Sequence, residues 1–371
     1  MRTHRFKLPV IVALTLISQV WTKPLLPPAF ANAPVQTLVN LPDLVEKVLP
    51  GVVNISTTTV IEQRFSGMDD FMNFWGIPSE YKSSSLGTGF LLDKDGYVMT
   101  NNHVIENATE VVVTLQDKRQ LEARIVGKDA RMDLALLKLR TETGSVPPRL
   151  IPVPFGDSDA VRIAEPVFAV GNPFGLQHTV TTGIISAKNR TIGVGPFDNF
   201  LQTDASINPG NSGGPLFNFK GEVIGINTMI FSKTGQSGGL GFAIPANEAK
   251  AILGDLKKYG RVPRPWLGVR VQTVTSQLAR VYQLPVREGV VIYGMVRGAP
   301  AVESGLKNGD IITQVNGAPV KETLEMEREL LRQKPKSAIQ LTVQRGPRAL
   351  KVQVQLEELP RQIDELPQGV L

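Results

Sequence analysis

The 371-residue chain has no cysteine and only three histidines. Without thiols there is no disulfide framework, no thiolate zinc site, no iron–sulfur cluster and no cysteine nucleophile. His4, His103 and His178 are too few for a histidine-built metal centre, and the residues call for no metal or cofactor. A long run of like charge is also missing. The formal net charge is +6, but Arg2, Arg5, Lys7 and Lys23 supply much of that excess within the first 31 residues, where no acid occurs. No nucleic-acid partner is expected from such a distribution. The longest apolar run, Leu8 to Trp21, falls short of the roughly 20 residues that cross a membrane comfortably. Glycine (34) and proline (27) are plentiful, and Val, Ile and Thr recur in short runs, which favours a β-rich chain with many turns. Hydrophobic residues at 42% and charged residues at 20% suit a chain that buries a core, and the length implies two or three domains.

The basic start, the apolar run, a Pro-rich stretch and Ala29-Phe30-Ala31 fit a signal peptide cut before Asn32; the alternative is a membrane anchor. Either exports the folded part, and periplasm, thylakoid lumen and cell envelope fit equally. Residues 62–85 mix aromatics, Gly and Ser without a period and read as a long, regulatory loop. From Gly87 short strands recur, with a hairpin signal at Asp95-Gly96 and a polar connector at 141–149. Strands at this spacing predict antiparallel barrels or sandwiches. One helix is expected over Asn247 to Lys258, capped by Asn247 and stopped by Gly260. After Pro265 strands alternate with helical stretches near Ser276–Leu284 and Thr323–Gln333, the pattern of a small separate domain. The expected limits are a leader or anchor at 1–31, a first domain at 32–262, a second at 263–359 and a tail at 360–371. The first would hold barrels at about 40–140 and 150–245 plus the helix.

The densest signal is Asp204-Ala205-Ser206-Ile207-Asn208-Pro209-Gly210-Asn211-Ser212-Gly213-Gly214-Pro215. A serine hydroxyl is a poor nucleophile until a base takes its proton and fixed N–H groups receive the oxyanion. Glycines on both sides of Ser212 let the backbone turn sharply; a plain Gly-rich turn would look the same. The segment also matches G-x-S-x-G, but the hydrolases that use it place histidine after serine, and here every histidine precedes Ser212. A subtilisin-type order would need a parallel α/β scaffold, for which long alternating helices are lacking. The remaining order is His, Asp, Ser on paired β-barrels. His103, in Thr100-Asn101-Asn102-His103-Val104-Ile105, follows a strand end, and Asp133 precedes the apolar strand Leu134–Lys138. His178 is a rival base without a clear acid partner.

TNNHVI, DLALLKL, GNPFG and DASINPGNSGGPL, in this order, resemble the HtrA/Deg family of chymotrypsin-fold serine endopeptidases, from about residue 40 to residue 358. The resemblance implies a mostly β protein, a double antiparallel β-barrel protease domain followed by a small α+β PDZ domain. It makes His103 the general base, Asp133 its orienter and Ser212 the nucleophile. The oxyanion hole would be the N–H groups of Gly210 and Ser212, with Asn211 between them. Ile207, Thr228, Met229 and Ile230 would line an apolar specificity pocket, and the 62–85 loop would be the regulatory loop, with Phe71, Phe74 and Trp75. Trp266-Leu267-Gly268-Val269 resembles the carboxylate-binding loop of a PDZ domain, and Ala299-Pro300-Ala301, Ser304 to Ile312 and Val315-Asn316-Gly317 resemble its core motif. There a peptide C-terminus would add as a strand. The expected partners are unfolded or damaged proteins, peptide C-termini and, by family, two further copies in a homotrimer or a higher oligomer. The expected function is exported, ATP-independent proteolysis; the alternative is a holdase or peptide-binding scaffold whose protease is largely silent.

Overall fold

The structure, a computed structural model, describes residues 40–62, 80–141, 143–171, 179–193, 197–208, 210–230 and 238–360. The helix α1 (Leu41–Val48) precedes a closed six-stranded antiparallel barrel of β1 (Val52–Glu62), β2 (Glu80–Leu91), β3 (Tyr97–Thr100), β4 (Glu110–Thr114), β5 (Gln120–Asp129) and β6 (Leu134–Arg140). A one-turn helix, α2 (Asn102–Ile105), follows β3. A second closed barrel holds β7 (Pro166–Gly171), β8 (Thr179–Arg190), β9 (Phe200–Thr203), β10 (Pro215–Asn218), β11 (Val223–Ile230) and β12 (Gly241–Pro245), and α3 (Ala246–Tyr259) leaves it. This is the expected double-barrel architecture.

Alternation explains why these segments become strands. In β6, Leu134, Leu136, Leu137 and Leu139 are all fully or nearly fully buried, because the strand faces two cores. Leu137 and Leu139 fill the first barrel with Val53, Ile55 and Val113. Leu134 and Leu136 join Val52, Phe90 and Met99 in a cluster that continues into Phe168, Phe217, Ile226 and Phe242 of the second barrel and Ile252 and Leu256 of α3. That shared core fixes one barrel against the other. Phe168 and Phe217 stack at 5.0 Å within it.

Two expectations need correcting. The ends of the 62–85 loop are drawn into a hairpin, with β1 and β2 paired from Val52–Phe90 out to Glu62–Glu80; Phe71, Phe74 and Trp75 lie outside the described residues. Asn247 does not cap α3. The helix begins one residue earlier, behind Pro245, whose ψ of 138° marks the non-helical entry, and the Asn247 Nδ2 donates to Asp157 Oδ1 at 2.7 Å. The helix does end at Gly260, whose N–H returns to Leu256 O at 3.2 Å.

The C-terminal domain holds a six-stranded sheet in the order β14 (Val269–Thr273), β15 (Val290–Met295), β16 (Ile311–Val315), β18 (Ala338–Arg345), β19 (Arg348–Gln355), its sixth strand β17 (Ala318–Pro319) pairing with β16, and β13 (Pro265–Trp266) pairs separately with β20 (Glu357–Glu358). The helices α4 (Ser276–Val281), α5 (Pro300–Glu303) and α6 (Thr323–Leu331) complete it. Among the described residues no helix is long and apolar enough to cross a membrane.

The linker residue Arg264 is 5% exposed and its guanidinium donates to Asp129, which is 3% exposed, at the end of β5. Its guanidinium also lies 4.2 Å from the centre of the Phe197 ring. Removing one member of a buried pair leaves the other charge uncompensated, at a cost of about 3–5 kcal/mol. Arg264→Ala is therefore expected to lower the thermal unfolding midpoint by several degrees, measured by circular dichroism; an unchanged midpoint would show that Asp129 is adequately held without it.

Candidate active site

The site begins with a turn between β5 and β6. Asp129 Oδ1 accepts the N–H of Arg131 at 3.0 Å and that of Met132 at 3.1 Å. This closed turn delivers Asp133 in the left-handed region, at φ 53°, a conformation that Asp tolerates better than most residues. Asn101, fully buried at the end of β3, donates from Nδ2 to the Asp133 carbonyl at 2.7 Å and holds it there.

α2 then carries His103 over the carboxylate. The backbone N–H of His103 donates to Asp133 Oδ1 at 2.9 Å, and its ring Nδ1 lies 2.7 Å from Asp133 Oδ2. An imidazole whose Nδ1 carries the proton for that bond presents a bare Nε2. The side chains are 44% and 25% exposed, so the pair opens onto solvent. Burial of the inner edge of the ring pushes its pKa down, but the hydrogen bond and charge of Asp133, with Glu106, outweigh it and set the net shift above the ordinary imidazole value.

The second barrel brings two groups to this pair. Thr228 Oγ1, on β11, donates to Asp133 Oδ2 at 2.6 Å. Ser212 Oγ lies 3.4 Å from the Thr228 carbonyl, long for a hydroxyl donor. Thr228 is thus the common neighbour of Asp133 and Ser212. Among the described hydrogen bonds none joins Ser212 to His103, a separation common in serine sites without bound substrate.

The turn carrying Ser212 is pinned from the first barrel. The Thr88 N–H donates to Ser212 O at 3.0 Å and Thr88 Oγ1 to Gly210 O at 2.5 Å. Gly213 adopts φ 81°, and a Cβ there would stand 2.2 Å from Thr100 Oγ1 and 2.3 Å from Thr88 O, so no larger residue fits. The Gly213 N–H donates to Asn227 O at 2.8 Å. The Asn211 N–H is taken by Asn208 O at 3.0 Å, which removes it as an oxyanion donor; Gly210, at φ 102°, and Ser212 flank it.

The four residues expected in the specificity pocket divide. Ile207 is buried in the second barrel's core with Ile230 packed against it. Thr228 turns to Asp133, and Met229 lines a cavity of about 310 Å³ beside the triad. His178 lies outside the described residues. Thr228, Thr88 and Asn101 are roles that the sequence reading missed. Asn101 stands inside the TNNHVI motif, whereas Thr88 carries no local signal.

In the C-terminal domain Leu267 and Val269 are core residues, and Trp266 packs with Ala299 and Leu359. Gly268, at φ 79°, would place a Cβ 2.1 Å from the Ala299 Cβ. Side chains of the loop are therefore spent on packing. Beside it β14 is an edge strand, paired only with β15.

Two barrels with an Asp–His pair and a Gly-flanked serine at their junction define a chymotrypsin-fold serine peptidase site. Residues 87–226 match the trypsin-like peptidase domain family and residues 265–356 the PDZ domain family. The solved structure titled "HtrA-type protease AlgW with decapeptide" superposes with a TM-score of 0.72 at 36% identity, over 87% of this chain and 99% of that one. A serine endoprotease from Yersinia pestis gives 0.65 at 33% identity, over 86% of this chain and 98% of that one. A protein of Rhizobium meliloti named a probable periplasmic serine endoprotease, DegP-like, is 44% identical over 279 residues, 75% of this chain and 54% of its own length. A protein of the same name from Pseudomonas putida is 41% identical over 304 residues, 76% of this chain and 62% of its own length. The chain belongs to the HtrA-type protease family. It spans little more than half the length of these curated relatives.

A hydrogen bond to a charged group is worth about 1.5–3 kcal/mol, or roughly 10-fold to 10²-fold in rate where it acts in the transition state. Thr228→Val should lower kcat by that factor with KM nearly unchanged in steady-state peptide hydrolysis. A full-rate variant would remove Thr228 from the support of Asp133.

Proposed function

We propose that the chain is an exported serine endopeptidase that cuts unfolded or damaged proteins without ATP. Ser212 Oγ attacks the scissile carbonyl carbon while its proton passes to His103 Nε2. Asp133 holds the imidazole's tautomer and stabilises the imidazolium. The oxyanion is received by the N–H groups of Gly210 and Ser212. As the C–N bond breaks, His103 returns the proton to the leaving amine, and water then releases the acyl group by the same route. The observation that carries this reading is the 2.7 Å contact between His103 Nδ1 and Asp133 Oδ2 within the first barrel, with Thr228 of the second barrel donating to the same carboxylate oxygen. The names of its relatives, a DegP-like serine endoprotease and an HtrA-type protease, support it. An unpaired β14 edge beside the Trp266–Val269 loop supports docking of a peptide C-terminus by strand addition.

The nucleophile is tested by casein digestion and by mapping a fluorophosphonate adduct. Ser212→Ala should lose both, and equal digestion by the two proteins would falsify the assignment. The pH profile of kcat/KM tests the base. A raised His103 pKa means that the ring protonates earlier as pH falls, so the acid limb should have a midpoint above the 6.5 of an ordinary imidazole. A rate that is flat from about pH 8 to about pH 5 would exclude His103.

Peptide docking is read by fluorescence anisotropy. A peptide with a free C-terminal carboxylate should bind at least tenfold more tightly than its C-terminal amide. Equal affinities would mean that no carboxylate is recognised at the Leu267–Val269 loop.

A further inference from the structure

We infer that the cavity of about 310 Å³ beside the triad is a subsite for one cationic side chain, lysine or arginine, of the polypeptide substrate. This rests on the endopeptidase reading and adds to it a preference of substrate. The cavity is reached directly from the catalytic groups, since His103, Asp133, Thr228 and Met229 all line it.

Its polar lining is made of acceptors. Glu106 comes from the residue after α2, Glu248 from α3 and Glu327 from α6 of the C-terminal domain. Asn102 lines the same cavity and is 6% exposed. The one cationic group in the lining apart from His103 is Arg131, whose Nη1 is already committed to Glu327 at 3.0 Å. An occupant that brings N–H donors and positive charge matches this set; an acidic one does not.

The two inner carboxylates are half-buried, Glu248 with only the neutral Asn199 amide as its hydrogen-bond donor among the described residues and Glu327 paired with Arg131. Burial pushes the Glu248 pKa up, and the hydrogen bond from Asn199 Nδ2, at 2.5 Å, does not reverse it. Burial also pushes Glu327 up, despite Arg131 and Arg264. An arriving ammonium or guanidinium would favour the ionised form of both. Met229, Phe200 and Ile244 supply apolar wall for the methylene stem of such a side chain. Glu327 belongs to the C-terminal domain, so the subsite is complete only where that domain meets the protease domain.

The test uses the full chain and a positional-scanning library of quenched fluorescent peptides, each position varied among Lys, Arg, Gln, norleucine and Glu. At one position Lys and Arg should exceed Gln by about tenfold in kcat/KM, the factor that about 1.4 kcal/mol supplies, and Glu should be the poorest. Glu248→Gln and, separately, the exposed Glu106→Gln should each reduce the Lys-to-Gln ratio at that position by threefold or more. The rate of fluorophosphonate labelling at Ser212 reports whether each variant keeps a working site, and the Lys-to-Gln ratio is read only within a variant that labels. Neutral peptides cleaved well with no advantage for Lys or Arg anywhere would overturn the subsite and leave the endopeptidase standing. A cation preference that survives in both variants would also overturn it. No cleavage and no labelling by the unaltered chain would overturn both readings together.

Discussion

The carboxylate of Asp133 is the point on which the site depends. Four contacts converge on that residue: the His103 ring, the His103 N–H, Thr228 Oγ1 from the second barrel and Asn101 Nδ2 on its carbonyl. Each is modest alone. Together they fix the residue in a left-handed conformation that an isolated loop would populate poorly. Three of these contacts arise within the first barrel and Thr228 adds the fourth from the second, so the full set exists only when the barrels are docked. That docking is the work of the shared core of Phe90, Leu134, Phe168 and Phe217, a rigid floor beneath a candidate site carried on turns and on the one-turn helix α2.

The same turn is reached from the C-terminal domain. Asp129 closes it by accepting two backbone N–H groups and also receives Arg264 from the linker, while Arg131, between Asp129 and Asp133, pairs with Glu327 on α6. Both charged links end within four residues of Asp133. Reorientation of the C-terminal domain would have to break or carry these links, and the strain would fall on the turn that presents Asp133. A buried ion pair is weak evidence for stability, since desolvation opposes it. Its value lies in direction: Arg264 and Asp129 satisfy one another in one arrangement of the two domains.

Much of this was legible in the sequence because the signals are local. The apolar run Leu134–Leu139, the Gly-flanked Ser212 and the order His, Asp, Ser point to barrels and a candidate reacting set without three-dimensional information. The edge of the hairpin was misjudged for a physical reason. Strand pairing between β1 and β2 is propagated from a well-packed base, so polar residues such as Ser83 to Ser85 enter the ladder with little propensity of their own. Thr228 stands among the expected specificity-pocket residues because the family resemblance places that segment there. Its hydroxyl instead finds a carboxylate that is 95 residues away in sequence.

The missed residues share a property. Thr88 and Thr228 act through atoms that meet a partner across the two barrels and Asn101 through one that meets Asp133 across the first, and none lies in a pattern whose period marks it. Thr88 illustrates the limit: a threonine between Gly87 and Gly89 in a strand looks like a weak point. A Cβ on Gly87 would stand 2.5 Å from Val104, and one on Gly89 would stand 2.9 Å from Ile55 and from the Met99 carbonyl, so these glycines are set by close packing within the first barrel. Thr88 itself holds the Ser212 turn through its N–H and its hydroxyl. Long-range complementarity of this kind leaves composition and periodicity almost untouched. It is encoded instead in what each position refuses to accommodate.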